Sequence, residues 1–178
     1  MSLMSGGMMV VMALAGPAAP PQAPASPTTA SIRGTYDVVK GYLLKAVDQV
    51  PEEHYAFAPA PTVRTLGALF GHIADANFNI CGAASGEKAG QAGSIEKTKK
   101  TKAELRDALA QSFKFCDAAF DGMTAARADE VVKFFLPGST TRLGVLAFNN
   151  AHDFEHYGNI VTYMRIKGLV PPSSAGGM

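Results

Sequence analysis

The chain has 178 residues, 47% of them apolar and only 17% charged, with a formal net charge of +1. A charge so near zero gives no broad basic footprint for nucleic acid, and the length suffices to bury one core without staples or a second domain. No apolar run reaches the roughly 20 residues a membrane-spanning helix needs, which excludes a polytopic membrane protein and leaves no span once a leader is removed.

Charge is unevenly placed along the chain. Residues 1–32 carry none, and between Arg33 and Met178 charged side chains make up about 21% of positions, near the ordinary globular value. Met8 to Ala15 (MMVVMALA) is a short apolar run followed by GPAAPPQAPAS, with A-x-A-like sites ending at Ala15 and Ala25. That is the shape of a secretory signal, although no Lys or Arg precedes the run; the alternative is an uncleaved Pro/Ala/Ser leader. The expected organisation is a leader over residues 1–30, one domain over 31–170 and a flexible tail over 171–178. A cleaved leader implies a periplasmic or secreted protein, an uncleaved one a cytoplasmic protein.

From Ser31 onward the apolar spacing is helical nearly throughout. Tyr36, Val39, Leu43, Val47 and Val50 recur at three- and four-residue steps and predict a first helix over 35–50, stopped by Pro51. After the Pro-rich connector 51–61, a second helix is expected from Thr62 or Thr65, either of which can cap it, to about Ala84. Residues 87–100 are Gly- and Lys-rich and read as a long loop, with Lys97, Lys99, Lys100 and Lys102 as a solvated face rather than a phosphate site. Leu105, Leu109, Ser112 or Phe113, Cys116, Phe120 and Met123 define a third helix over about 102–123. Val131 to Leu136 (VVKFFL) is a strand or a packed loop, and a fourth helix runs from after Thr141 to about Lys167, with Gly168 and Pro171 as stop signals. The fold class expected is all-α, a four-helix bundle. Cys81 and Cys116 are too few for a disulfide scaffold; they either pair or remain buried thiols.

The chemistry concentrates in histidines. His152 and His156 stand four apart, hence on one face of the fourth helix about 6 Å apart along its axis, where both imidazoles reach one ion. A third ligand is needed, and His72, flanked on the second helix by Leu69, Ile73 and Ala76, is the obvious supplier; the alternative is an ordinary core histidine. Asn149 and Asn159 share the ligand face and are candidates to orient a bound water or substrate, or members of a buried polar layer. Asp75, three residues after His72, is a further candidate, whereas Asp153 and Glu155 fall off the histidine face and are expected in solvent. The fourth helix carries two apolar stripes, one through Asn150 and Tyr157 and one through Phe148 and His156, so one needs cover from residues 131–136 or from a second subunit; this favours a homodimer.

Two stretches, LGALFGHIADANF in the second helix and HDFEHYGNIVTYMRIKGLVPPSS leaving the fourth, resemble the signature segments of the DinB family (DinB/YfiT-like metalloenzymes). The resemblance covers about residues 31–174. It implies a DinB-like four-helix bundle with a long loop between helices two and three, a divalent ion (Zn, Ni, Fe or Mn) on His72, His152 and His156, and commonly a dimer. Family members often continue the second histidine of the pair as H-R-G-Q, whereas this chain has His156, Tyr157, Gly158 and Asn159, and it lacks the Trp that many relatives carry before helix two. Three neutral imidazoles leave a coordination position open, as in catalytic rather than closed structural sites. The expected activity is that of a metal-dependent enzyme on a small-molecule substrate, either hydrolase-like or a thiol-dependent transferase; the alternative is a non-catalytic, metal-stabilised binding module. No side chain stands out as a general base, and nothing in the sequence names the substrate.

Overall fold

The structure, a computed structural model, describes residues 25–88 and 93–175. Most of the expected leader, residues 1–24, and the last three residues of the tail lie outside the described residues.

The first long helix, α1, spans Pro27–Gln49. Ser26 caps it, its side chain accepting from the Thr29 amide at 3.1 Å, and Pro27 occupies the first helical position, where its missing N–H is harmless. The helix therefore begins eight residues ahead of Thr35. Its start is set by cap chemistry, which an apolar stripe does not report. Helix α2 is Leu66–Ser85; Thr65 caps it at 3.2 Å to the Ala68 amide, and Gly86, at φ +84°, ends it in the left-handed conformation.

The stretch expected as one loop contains a short helix, α3 (Ile95–Thr98). Its backbone is tied to α2 by Asp75, whose carboxylate accepts from the amides of Gly93 (2.8 Å), Ile95 (3.0 Å) and Glu96 (2.9 Å). Helix α4 (Lys102–Asp121) opens on a reciprocal capping box between Thr101 and Glu104. The lysines around it make local contacts: Lys102 donates to the carbonyls of Asp48 and Val50 at the end of α1, Lys100 to that of Glu96, and Lys99 pairs with Glu104.

Beyond the short α5 (Ala125–Ala128), Val131–Val132 (β1) pairs antiparallel with Thr140–Thr141 (β2), so the VVKFFL run opens a hairpin. Helix α6 (Arg142–Ile166) starts at the Thr141 cap and is followed by Gly168 at φ +72°.

The long helices α1, α2, α4 and α6 form the bundle, with α2 packed on α4 and α6, and α1 closing the other side of the same pair. Tyr36, Leu43, Phe70, Ile73, Leu109 and Leu146 are fully buried between them. Cys81 of α2 and Cys116 of α4, both buried, form a disulfide with Cα atoms 5.2 Å apart. The chain itself packs against both stripes of α6, leaving Phe154 exposed. On one, Asn150 donates to the Ile32 carbonyl at 2.9 Å and Tyr157 stacks on Tyr42 at 5.1 Å; on the other, Phe148 meets Phe134 and Phe135 of the hairpin. The first residues of the expected flexible tail dock: Pro172 is buried, and Ser173 bonds Tyr157 at 2.9 Å through both its hydroxyl and its amide.

Candidate metal centre

His72 projects from α2 toward α6, where the one-turn spacing of His152 and His156 brings both rings to meet it. Nε2 of His152 lies 3.3 Å from Nε2 of His72 and 3.1 Å from Nε2 of His156. The ligand atoms of all three lie within 4.8 Å of one another, and no other group of three or more such side chains occurs among the described residues. Nitrogens bound at about 2.0–2.1 Å to a tetrahedral ion stand roughly 3.3–3.4 Å apart, so the trio is already close to the spacing of a shared site. Uncharged imidazoles aim lone pairs or a single N–H at the common point, an arrangement that a cation stabilises and hydrogen bonds alone satisfy only in part. The residues present therefore fit a divalent ion.

Two of the three rings meet a polar partner at their other nitrogen. Nδ1 of His72 is 3.3 Å from Oε2 of Glu96 on α3, and Nδ1 of His156 is 3.4 Å from the Asn159 amide. Nδ1 of His152 is buried without a hydrogen bond, with Oδ1 of Asp153 nearest among the carboxylates at 3.9 Å. The Glu96 carboxylate, an acceptor, favours the His72 tautomer protonated on Nδ1 and so leaves its Nε2 free for the ion, whereas Asn159 meets His156 through its NH2 group.

The structure brings His72, His152, His156 and Asn159 together as the sequence suggests and reassigns the rest. Asn149 does not face the open side of the centre. It is fully buried, its side chain 2.9 Å from that of Asn77 and donating to Asp153 Oδ2 at 3.2 Å, and so belongs to the polar layer. Asp75 touches the cavity wall, but its oxygens accept from the backbone before and within α3, which makes it the anchor of Glu96. Asp153, expected in solvent, is fully buried beside Asn77 and Asn149, because α6 is enclosed by α2 on that side. Glu96 sits in a Gly- and Lys-rich segment with no periodicity to mark it.

Burial sets the electrostatics. It lowers the His72 pKa, with the charges of Arg64 and His152 acting in the same direction, and it pushes His156 down to about 4, helped by its two histidine neighbours. Both imidazoles are therefore neutral and ligand-competent at neutral pH. Burial also raises the Asp153 carboxyl to about 6.

Two cavities adjoin the trio. One of about 350 Å³ is bounded by His72, His152, Ala76, Ile80, Phe135 and Phe148, with Lys97 at its edge. The other, about 540 Å³, is more polar and is bounded by His156, Asn159, Arg64, Thr62 and Tyr163. Glu96 borders both, its Oε1 held by Nε of Arg64 at 3.0 Å.

Comparison with known proteins agrees with this architecture. A DinB-like protein from Bacillus cereus superposes with a TM-score of 0.70 at 20% identity, over 84% of this chain and 97% of that one. A DinB-like protein from Bacillus subtilis gives 0.63 at 20% identity, over 78% and 92%. The mycothiol-dependent maleylpyruvate isomerase shares the fold more distantly, at 0.58 and 11% identity, over 76% of this chain and 65% of that one. Among curated proteins no sequence matches. The family model of the DinB superfamily matches residues 35–160, most of the bundle, and the chain belongs to that superfamily.

Proposed function

We propose that the protein is a metal-dependent enzyme acting on a small molecule, with His72, His152 and His156 as the ligands of one divalent ion and the adjoining cavities as the substrate site. The observation that carries this reading is the convergence of three Nε2 atoms at the junction of two cavities, with no fourth His, Cys, Asp or Glu joining the group among the described residues. An all-imidazole set suits Zn, Ni or Fe better than Mn, which favours oxygen ligands. When bound, such an ion supplies Lewis-acid polarisation of a substrate oxygen or acidification of water.

The chain's own residues do the rest. Glu96 fixes the His72 ring by accepting at Nδ1, and Arg64 in turn holds Glu96. Phe135 and Phe148 line one cavity with aromatic surface, while Asn159 presents an amide in the other. The hydrolase-like reading is preferred to the thiol-dependent one because the chain is proposed to be exported, away from cytosolic thiols. Its buried disulfide supports that placement, since such bonds persist in oxidising compartments.

The test is turnover of activated aryl esters and of thiol-acceptor substrates by the protein as purified, with and without an added low-molecular-weight thiol, beside His152→Ala. Ester turnover that needs no thiol and is lost in His152→Ala supports the hydrolase-like reading. Dependence on thiol favours a transferase. Equal background rates in both proteins overturn the enzymatic reading in favour of a metal-stabilised binding module.

A further inference from the structure

We infer that the cavity of about 350 Å³ beside His72 and His152 is a subsite for an aryl anion, a ring carrying a carboxylate or comparable group. The inference deepens the proposed function and rests on it for the reacting centre alone. The ring is called for by an aromatic wall that the fold does not require. Phe135 is 72% exposed, an unusual state for so apolar a side chain on a hairpin that contributes little to the core. Its ring lies 4.5 Å from that of Phe134 and 5.3 Å from that of Phe148, and Phe148 lies 6.4 Å from His152. The result is a run of aromatic surface from solvent to the histidines, in a cavity also lined by Ala76 and Ile80 of α2. Edge and face contacts with such a wall favour a planar ring over an equally apolar chain, and the volume suits a small ligand.

The anion is called for by the charges that border the cavity. Asp75 is saturated by three backbone amides, and Glu96 is held between His72 and Arg64. Lys97 makes no ion pair or hydrogen bond among the described residues, so the uncommitted charge at the edge is positive. A ligand whose ring lies along Phe135 and Phe148 presents its charged end to Lys97.

Calorimetry with phenylacetate, its neutral isostere phenylacetamide, and acetate separates the elements of the proposal. Phenylacetate is expected to bind most tightly to the protein as purified. Phe135→Ser, on an exposed side chain that leaves the core intact, weakens both aryl probes about tenfold and acetate not at all. Lys97→Gln weakens phenylacetate about fivefold, near the most an exposed charge pair supplies, and leaves phenylacetamide unchanged. Size-exclusion chromatography runs in parallel: a change in oligomeric state on Phe135→Ser with probe affinities unchanged overturns the subsite and makes Phe135 a contact between copies of the chain. Absence of saturable phenylacetate binding, or equal affinity for phenylacetate and acetate, also overturns it. Phenylacetamide binding measured in His152→Ala keeps the two readings apart, because it persists if the aromatic subsite exists even when the metal assignment fails.

Discussion

Oε2 of Glu96 lies 3.3 Å from Nδ1 of His72, so an acceptor on a four-residue helix governs which ring nitrogen of a bundle histidine faces the shared centre. Glu96→Ala is expected to lower divalent-metal affinity about 10- to 100-fold, the usual effect of removing a partner on the outer nitrogen, with Glu96→Gln recovering part of it. Chelator competition reads the affinity. Urea unfolding of the metal-free variants is expected to show a loss of about 1 kcal/mol or less, because the pair is partly exposed.

Asp75 holds α3 through the amides of Gly93, Ile95 and Glu96. Asp75→Ala leaves three donors without their acceptor and is expected to cost about 3 kcal/mol in urea unfolding. Because α3 carries Glu96, metal affinity should fall as well. Full affinity in a destabilised Asp75→Ala protein would break the proposed link between that helix and His72.

The metal-free protein has opposing pH dependences. His72 and His156 have pKa values lowered from 6.5, to about 4 for His156, so the folded state binds fewer protons than the unfolded chain in that interval. Their contribution to stability is complete above pH 6.5 and is lost as the pH falls toward 4. Asp153, raised from 3.8 to about 6, has the opposite sign: protonation of the folded state between those values restores stability as the pH falls. Asp153→Asn removes the opposing contribution. Its melting temperature in chelator should therefore fall more steeply than that of the wild type between pH 6.5 and 4, as scanning calorimetry can show.

The Cys81–Cys116 bond closes a loop of 35 residues between α2 and α4. Loop-closure entropy puts its contribution at about 3–4 kcal/mol. The double variant Cys81→Ala, Cys116→Ala should lose that stability in denaturant and keep its metal stoichiometry, since neither cysteine belongs to the histidine group.

The parts of the fold and the site that were legible in the sequence share one property, periodicity. The four long helices follow from three- and four-residue apolar steps, and His152 with His156 follows from one helical turn. What periodicity does not carry was misplaced or missed. The start of α1 depends on Ser26 and Pro27, a cap rather than a stripe. Asp153 looks solvated on a helical wheel, yet α6 is enclosed over a wider arc than one apolar face implies, and the carboxylate is buried among Asn77 and Asn149. Glu96 lies in an aperiodic segment and acquires its role only because Asp75 folds that segment back onto α2. The disulfide likewise depends on a 5.2 Å approach of two helices that no spacing encodes.

The account depends most on the three histidines sharing one ion. Elemental analysis of the purified protein beside His152→Ala, with His54→Ala as a control outside the group, tests this directly. The expected result is about one divalent ion per chain in the wild type and in His54→Ala, and almost none in His152→Ala. Unchanged metal content in a folded His152→Ala protein would contradict the assignment.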